Sequence, residues 1–314
     1  MSTVATKTQN AGDTFAANAV VVALTVYQYG ENRKIATSEI DLGQSAEGEK
    51  PDPEMVSAHK RLFKDCKELK AVREYLNDTK QFVVRRSLPS MFKGGVYLIP
   101  TSQVEAVDNW LIERNAGLPT VVKAFADVLE TRIEENKKRL ANLSHDPEWP
   151  TVSQIMNAYR FEWRFLTFDT PSALKGLSRG LWEREAEKAR ASIVEVREAG
   201  ETLLRLKMQE LVARMVDRLT PDADGKPKVF RNTLVPNLSE FLDVFDSRNE
   251  IVQDAELARL ATRAKMLLDG VDSEMLRNEE GVRNAVVGGF AKIQSALDTM
   301  VTKKPTRQID FTDE

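Results

Sequence analysis

Residues 181–219 read LWEREAEKARASIVEVREAGETLLRLKMQELVARMVDRL. Small or apolar side chains recur at Ala186, Ala189, Ile193, Val196, Gly200, Leu204, Met208, Leu211 and Met215, in steps of three and four. Such steps keep one edge of an α-helix in register, so the stretch predicts a single helix with a continuous stripe. At 1.5 Å per residue it would span roughly 58 Å. A periodic pattern of that length points to a coiled-coil arm. Mixed Glu, Lys and Arg elsewhere on the segment describe a solvated surface. The stripe has two readings. It closes on the chain's own helix predicted at 273–301, or it forms a seam for self-association or a partner. The seam residues would be Ile193, Val196, Leu204, Met208 and Leu211.

Outward from this helix, the expected fold class is mainly α with a small β component. Long antiparallel coiled-coil-like helices stand beside a short N-terminal hairpin or small sheet. The expected organisation is a disordered tail at 1–15, an α+β region at 16–170, a helical region at 171–301 and a flexible tail at 302–314. Val20–Tyr27 is rich in β-branched residues and predicts a strand. Lys34–Thr37 would return beside it as a hairpin. Helices are expected at 54–77, 102–114 and 119–143, with Thr101 as an N-cap and a break at Gly117. Short strands are expected at Val96–Ile99 and Phe161–Phe168. Further helices are expected at 238–246, 254–268 and 273–301.

The chain has 314 residues, 42% of them hydrophobic and 30% charged, which suits a folded protein with long solvated helices. Net charge is −3, so a nucleic-acid role would need a local basic patch. The best such stretch carries Lys80, Arg85, Arg86 and Lys93. It reads first as a solvated loop and second as a phosphate contact. The single cysteine, Cys66, excludes an intrachain disulfide and fits a reducing compartment. The apolar run at 16–27 is about half of the ~20 residues a membrane span needs, so a cytoplasmic protein is expected.

Recognisable catalytic patterns are absent from the sequence. Two histidines, His59 and His145, supply too few donors for a His-rich zinc site. Neither a phosphate-binding glycine loop nor a nucleophile elbow occurs. Asp222, Asp224 and Gly225 form only a fragment of a calcium loop. The pairs Glu134-Glu135 and Glu279-Glu280 point about 100° apart on a helix and read as solvated. No cofactor, metal or catalytic residue is expected. Phe161, Trp163 and Phe165 share one strand face and read as core before base-stacking. The C-terminal Gln308–Glu314 carries Ile309 and Phe311 among acids and reads as a frayed end or a docking peptide.

Several of these pieces resemble a family of uncharacterised proteins from phages and bacterial mobile elements. They are the opening strand and turn at Val20–Tyr29, Gly30 and Arg33-Lys34, and the charged stretch around Lys60–Lys70. Gly94–Pro100, Trp149-Pro150 and Phe161–Phe168 complete the set, which covers roughly 18–250. Members of that family are often encoded near a MoxR-type AAA+ ATPase and a von Willebrand factor A protein. The resemblance implies no catalytic residues. It implies a non-enzymatic adaptor or assembly protein with those two as partners. The alternatives are a nucleic-acid-associated protein of phage replication or recombination and a virion structural or scaffolding protein.

Overall fold

The structure is a computed structural model and describes residues 17–40, 51–88, 94–167, 172–222, 228 and 231–302. It is mainly α-helical with a small β component. The strands are β1 (Ala19–Tyr27), β2 (Asn32–Ile35), β3 (Ala58–Arg61), β4 (Val96–Pro100) and β5 (Arg160–Leu166). The helices are α1 (Lys67–Arg86), α2 (Val104–Ala126), α3 (Leu129–Leu140), α4 (Val152–Ala158), α5 (Ser172–Leu177) and α6 (Arg179–Leu219). They continue with α7 (Leu234–Val252), α8 (Ala255–Leu268), α9 (Ser273–Asn278) and α10 (Glu280–Thr302). One sheet has the order β4-β1-β5 and the other pairs β2 with β3.

The chain divides into two compact units that are not contiguous in sequence. The first holds the described parts of 1–22, 84–104 and 165–314; the second holds 23–83 and 105–164. The single boundary expected near residue 170 is therefore not how the chain packs. The excursion at 84–104 returns to the helical unit because β4 packs on α7 and Leu88 bridges Leu98. A reading along the sequence has no signal for such a return.

The first unit is built on the helix expected from 181–219, which forms as α6 with Ser178 as its N-cap, the side chain accepting from the Leu181 N–H at 3.3 Å. It packs on α7 and α10, and α8 packs on the same two helices. Gly200 in α6 faces Val252 at the far end of α7, so those helices run antiparallel. Leu204, Met208 and Met215 are fully covered, together with Leu238, Phe245, Leu257, Phe290 and Ile293. Asp254 starts α8: its carboxylate accepts from the Glu256 and Leu257 N–H groups at 3.1 and 3.0 Å and from Arg205 Nε at 2.7 Å. Burial alone would raise this carboxyl's pKa. The Arg205 hydrogen bond, the backbone donors and the guanidinium charge outweigh it and hold the group below the usual aspartate value.

The second unit is centred on Phe63, whose ring meets Phe125 and Trp149 edge-on at 5.4 and 5.7 Å. Three expectations are corrected here. Ile35 and its neighbours do not return beside β1. They pair antiparallel with β3, in the register Asn32↔Arg61 to Ile35↔Ala58. The expected helix at 54–77 begins only at Lys67, because Ala58–Arg61 is the partner strand and Asp65 turns the chain with a φ of 58°. The expected break at Gly117 is absent, and α2 runs through both Gly117 and Pro119.

Burial explains that continuity. Val107, Leu111, Leu118, Val122 and Phe125 form one covered face that spans the proline. Gly117 leaves room for Tyr75, whose hydroxyl donates to the Arg114 carbonyl at 2.8 Å inside the affected turn. Helix propensity is a weak prior that packing overrides.

The glycine pair in α10 separates close packing from propensity. A Cβ on Gly289 would lie 2.5 and 2.6 Å from the Leu267 methyls, whereas one on Gly288 would meet nothing within 4 Å. Gly289→Ala should lower stability by about 1–3 kcal/mol through overpacking. Gly288→Ala should raise it by about 0.5–1 kcal/mol through helix propensity. Urea melts of the two variants check this; equal effects would show that α8 and α10 do not meet so closely.

Candidate functional site

The long helix has two unlike halves. Along residues 196–219, Val196, Gly200, Leu204, Met208, Leu211, Val212, Met215 and Leu219 are all buried. Along 179–195 only Ala186 is, while Leu181, Ala189 and Ile193 are half-buried and Val194 is exposed. The reason is length. At 41 residues α6 outruns its long partners, α7 with 19 and α10 with 23. This corrects the seam expected for partners. Val196, Leu204, Met208 and Leu211 belong to the chain's own core, and of the five named residues only Ile193 lies in the less covered half. Ile309 and Phe311 of the expected docking tail lie outside the described residues.

The expected basic patch does not assemble as one surface. Lys80, Arg85 and Arg86 all lie on α1. At about 100° per residue, Lys80 and Arg85 point roughly 140° apart and Arg86 a further 100° on. Arg85 pairs with Glu240 at 3.0 Å. Lys93 lies outside the described residues. The three described cations therefore do not share one face of α1.

One of these arginines does have a cationic neighbour. Arg248, on α7, feels the charge of Arg86. Arg248 Nε is buried without a hydrogen-bond partner, and its Nη2 donates only to the Val84 carbonyl at 3.4 Å. Burial first, and then the Arg86 charge, push its pKa down to about 10. Arg86 is likewise lowered, by burial and by Arg85, with Glu240 opposing. Sequence reasoning missed Arg248, although a signal existed. It continues the apolar steps Phe241, Phe245 and Val252 of α7, a place where a guanidinium needs a reason.

Polar groups in the second unit pair mostly with one another, although Glu31 Oε2, Glu148 Oε2 and Arg132 Nε are buried without a hydrogen-bond partner. Lys60, 5% exposed, donates to the Leu143 carbonyl and pairs with Glu148 at 2.6 Å. Tyr29 donates to the Glu148 carbonyl at 3.2 Å and accepts from Arg33. Arg73 pairs with Glu31, and Arg132 with Glu68 at 3.1 Å. Tyr159 is pushed up to about 12 by burial, so its phenol keeps its proton. Buried pairs like Lys60–Glu148 specify one packing more than they add stability.

The aromatic strand alternates as expected, with Phe161 buried and Trp163 and Phe165 half-buried. Trp163 Nε1 donates to Asp108 at 2.7 Å, and Arg160 lies 4.1 Å from the Tyr27 ring centroid. A tryptophan tied to α2 by its own N–H is a packing element, not a free stacking platform.

Among the described residues no group of three or more His, Cys, Asp or Glu could hold a metal ion. No helix among them is long and apolar enough to cross a membrane. A shallow depression by Asn232, Asp272, Ser273, Glu274, Arg277 and Asn278 uses its groups locally, for Asp272 caps α9 and Arg277 donates to Asn232. No family model matches the chain, and no curated protein or solved structure does.

Cys66 offers a direct check of the second unit. Burial pushes its thiol up, with the Glu68 carboxylate beside it at 3.4 Å adding to the rise. The thiolate is the reactive form, so folded protein should alkylate at least tenfold more slowly than unfolded protein at pH 8. Iodoacetamide labelling with and without urea measures it. Equal rates would place Cys66 at an open surface.

Proposed function

We propose that this protein is a non-enzymatic adaptor or assembly protein that receives a partner along the first half of α6. One observation carries the reading: the apolar stripe continues through Leu181, Ala189 and Ile193, where among the described residues it is only half-covered. A partner helix laid along this edge would bury those side chains as the neighbouring half buries Val196 and Leu204. Exposed Arg179–Glu183 and Lys188–Glu185 pairs keep the flanks of this edge solvated. The fitting partner chemistry is an amphipathic helix with a narrow apolar edge, since Ala186 and Ala189 allow close approach.

The family resemblance at Val20–Tyr29, Gly94–Pro100 and Phe161–Phe168 adds a biological setting to the proposal. It is that of a phage or mobile element, with a MoxR-type AAA+ ATPase and a von Willebrand factor A protein as partners. Mixing the purified chain with each candidate tests it. A complex with one of them should form, with or without ATP, and Ala189→Glu with Ile193→Glu should weaken it at least tenfold. Ala189→Glu alone should leave the melting temperature within about 2 °C, whereas Ile193 packs against the edge of the core, so the double variant should melt lower but still cooperatively. Absence of any complex, or binding unchanged by the double variant, would overturn the proposal.

A further inference from the structure

We infer that the first half of α6 pairs with the same segment of a second copy of this chain, the two helices running antiparallel. This rests on the reading that the edge receives a helix, and it names that helix. Charge is the first ground. Residues 179–195 carry four bases (Arg179, Arg184, Lys188, Arg190) and four acids (Glu183, Glu185, Glu187, Glu195). A phosphate backbone or an anionic surface is held by a basic excess, which this segment lacks. A second copy meets it without net repulsion.

Register is the second ground. The stripe Ala186, Ala189, Ile193 and Val196 steps by three and four, the spacing of a coiled-coil seam. Helices approach closely only where both present small residues, and neither Ala186 nor Ala189 projects beyond Cβ. With Ala186 of one copy laid opposite Ala189 of the other, the two-fold axis makes that layer twice, and Ile193 falls opposite Trp182 of the other copy. Glu183 and Arg190 lie on one flank of this seam, and both are exposed. Glu183 has only an exposed bond from Arg179 at 2.9 Å, and Arg190 makes no ion pair among the described residues. The register sets Glu183 of each copy against Arg190 of the other, so the flank is self-complementary.

Reach is the third. In the same register Val196 faces Arg179 of the second copy. Val196 is where the stripe enters the chain's own core, and Arg179 is the first residue of α6. Extended backbone at Ser178 turns the chain off the helix axis there. Each copy's helix therefore ends where the other's own cover begins, over about 25 Å of seam at 1.5 Å per residue. A parallel pairing would drive residues 196–219 of the second copy along a stripe that α7 and α10 already fill.

Sedimentation equilibrium of the full chain alone tests this. The mass should rise reversibly from one chain toward two as concentration is raised to about 1 mM. Glu183→Arg and Arg190→Glu should each weaken the dimer at least threefold, since each sets like charges against one another twice. An equimolar mixture of these two variants should pair again, and the double charge swap should return within about twofold of the wild type. A parallel pairing gives no such rescue, because Glu185 would then face a glutamate at 190. A single-chain mass throughout the range would overturn the inference, and so would a dimer indifferent to both swaps. If the chain stays single while Ala189→Glu with Ile193→Glu still weakens a candidate partner's complex, self-pairing fails and the partner edge stands. If the chain pairs and neither candidate binds, self-pairing stands and the named partners fail.

Discussion

Everything in the helical unit depends on covering the apolar edge of α6 from Val196 to Leu219. The edge is continuous and cannot be left to water along a helix of this length. α7 and α10 lie against it, α8 closes against both, and β4 is drawn onto α7. Arg205 and Asp254 mark where the cover begins: one carboxylate ends the approach to α8 and holds α6 at the same time. Gly200 belongs to the same constraint, since Val252 and Leu88 pack where a larger residue's side chain would be.

The same constraint gives the protein its unlike halves. Covering helices of 19 and 23 residues cannot extend along all 41 of α6. The half from Arg179 to Glu195 keeps the stripe but loses the lid. Its alanines make a narrow edge, whereas the bundle half uses Leu and Met to fill volume. A surface for docking and a core thus come from one periodic sequence, divided by what the rest of the chain can reach.

Much of this was legible beforehand. The long helix, β1, β4, β5 and the extent of α8 follow from periodicity and β-branching. What was not legible had physical causes. Ala58–Arg61 pairs with Asn32–Ile35 across more than twenty residues, and no local propensity encodes that partner. Pro119 would stop an isolated helix, yet the buried face on either side carries α2 through it. The basic run 80–86 looked like a patch because sequence hides angle. Arg248 looked ordinary because sequence hides who stands next to whom.

The central claim is that α6 is one helix with a sealed half and an open half. Native-state hydrogen exchange resolved by residue tests this most directly, because amide opening reports local cover. Amides of 201–219 should exchange only through global unfolding, and those of 181–194 at least a hundredfold faster. Uniform protection along the whole helix would contradict the account, since the first half would then be covered as well as the second.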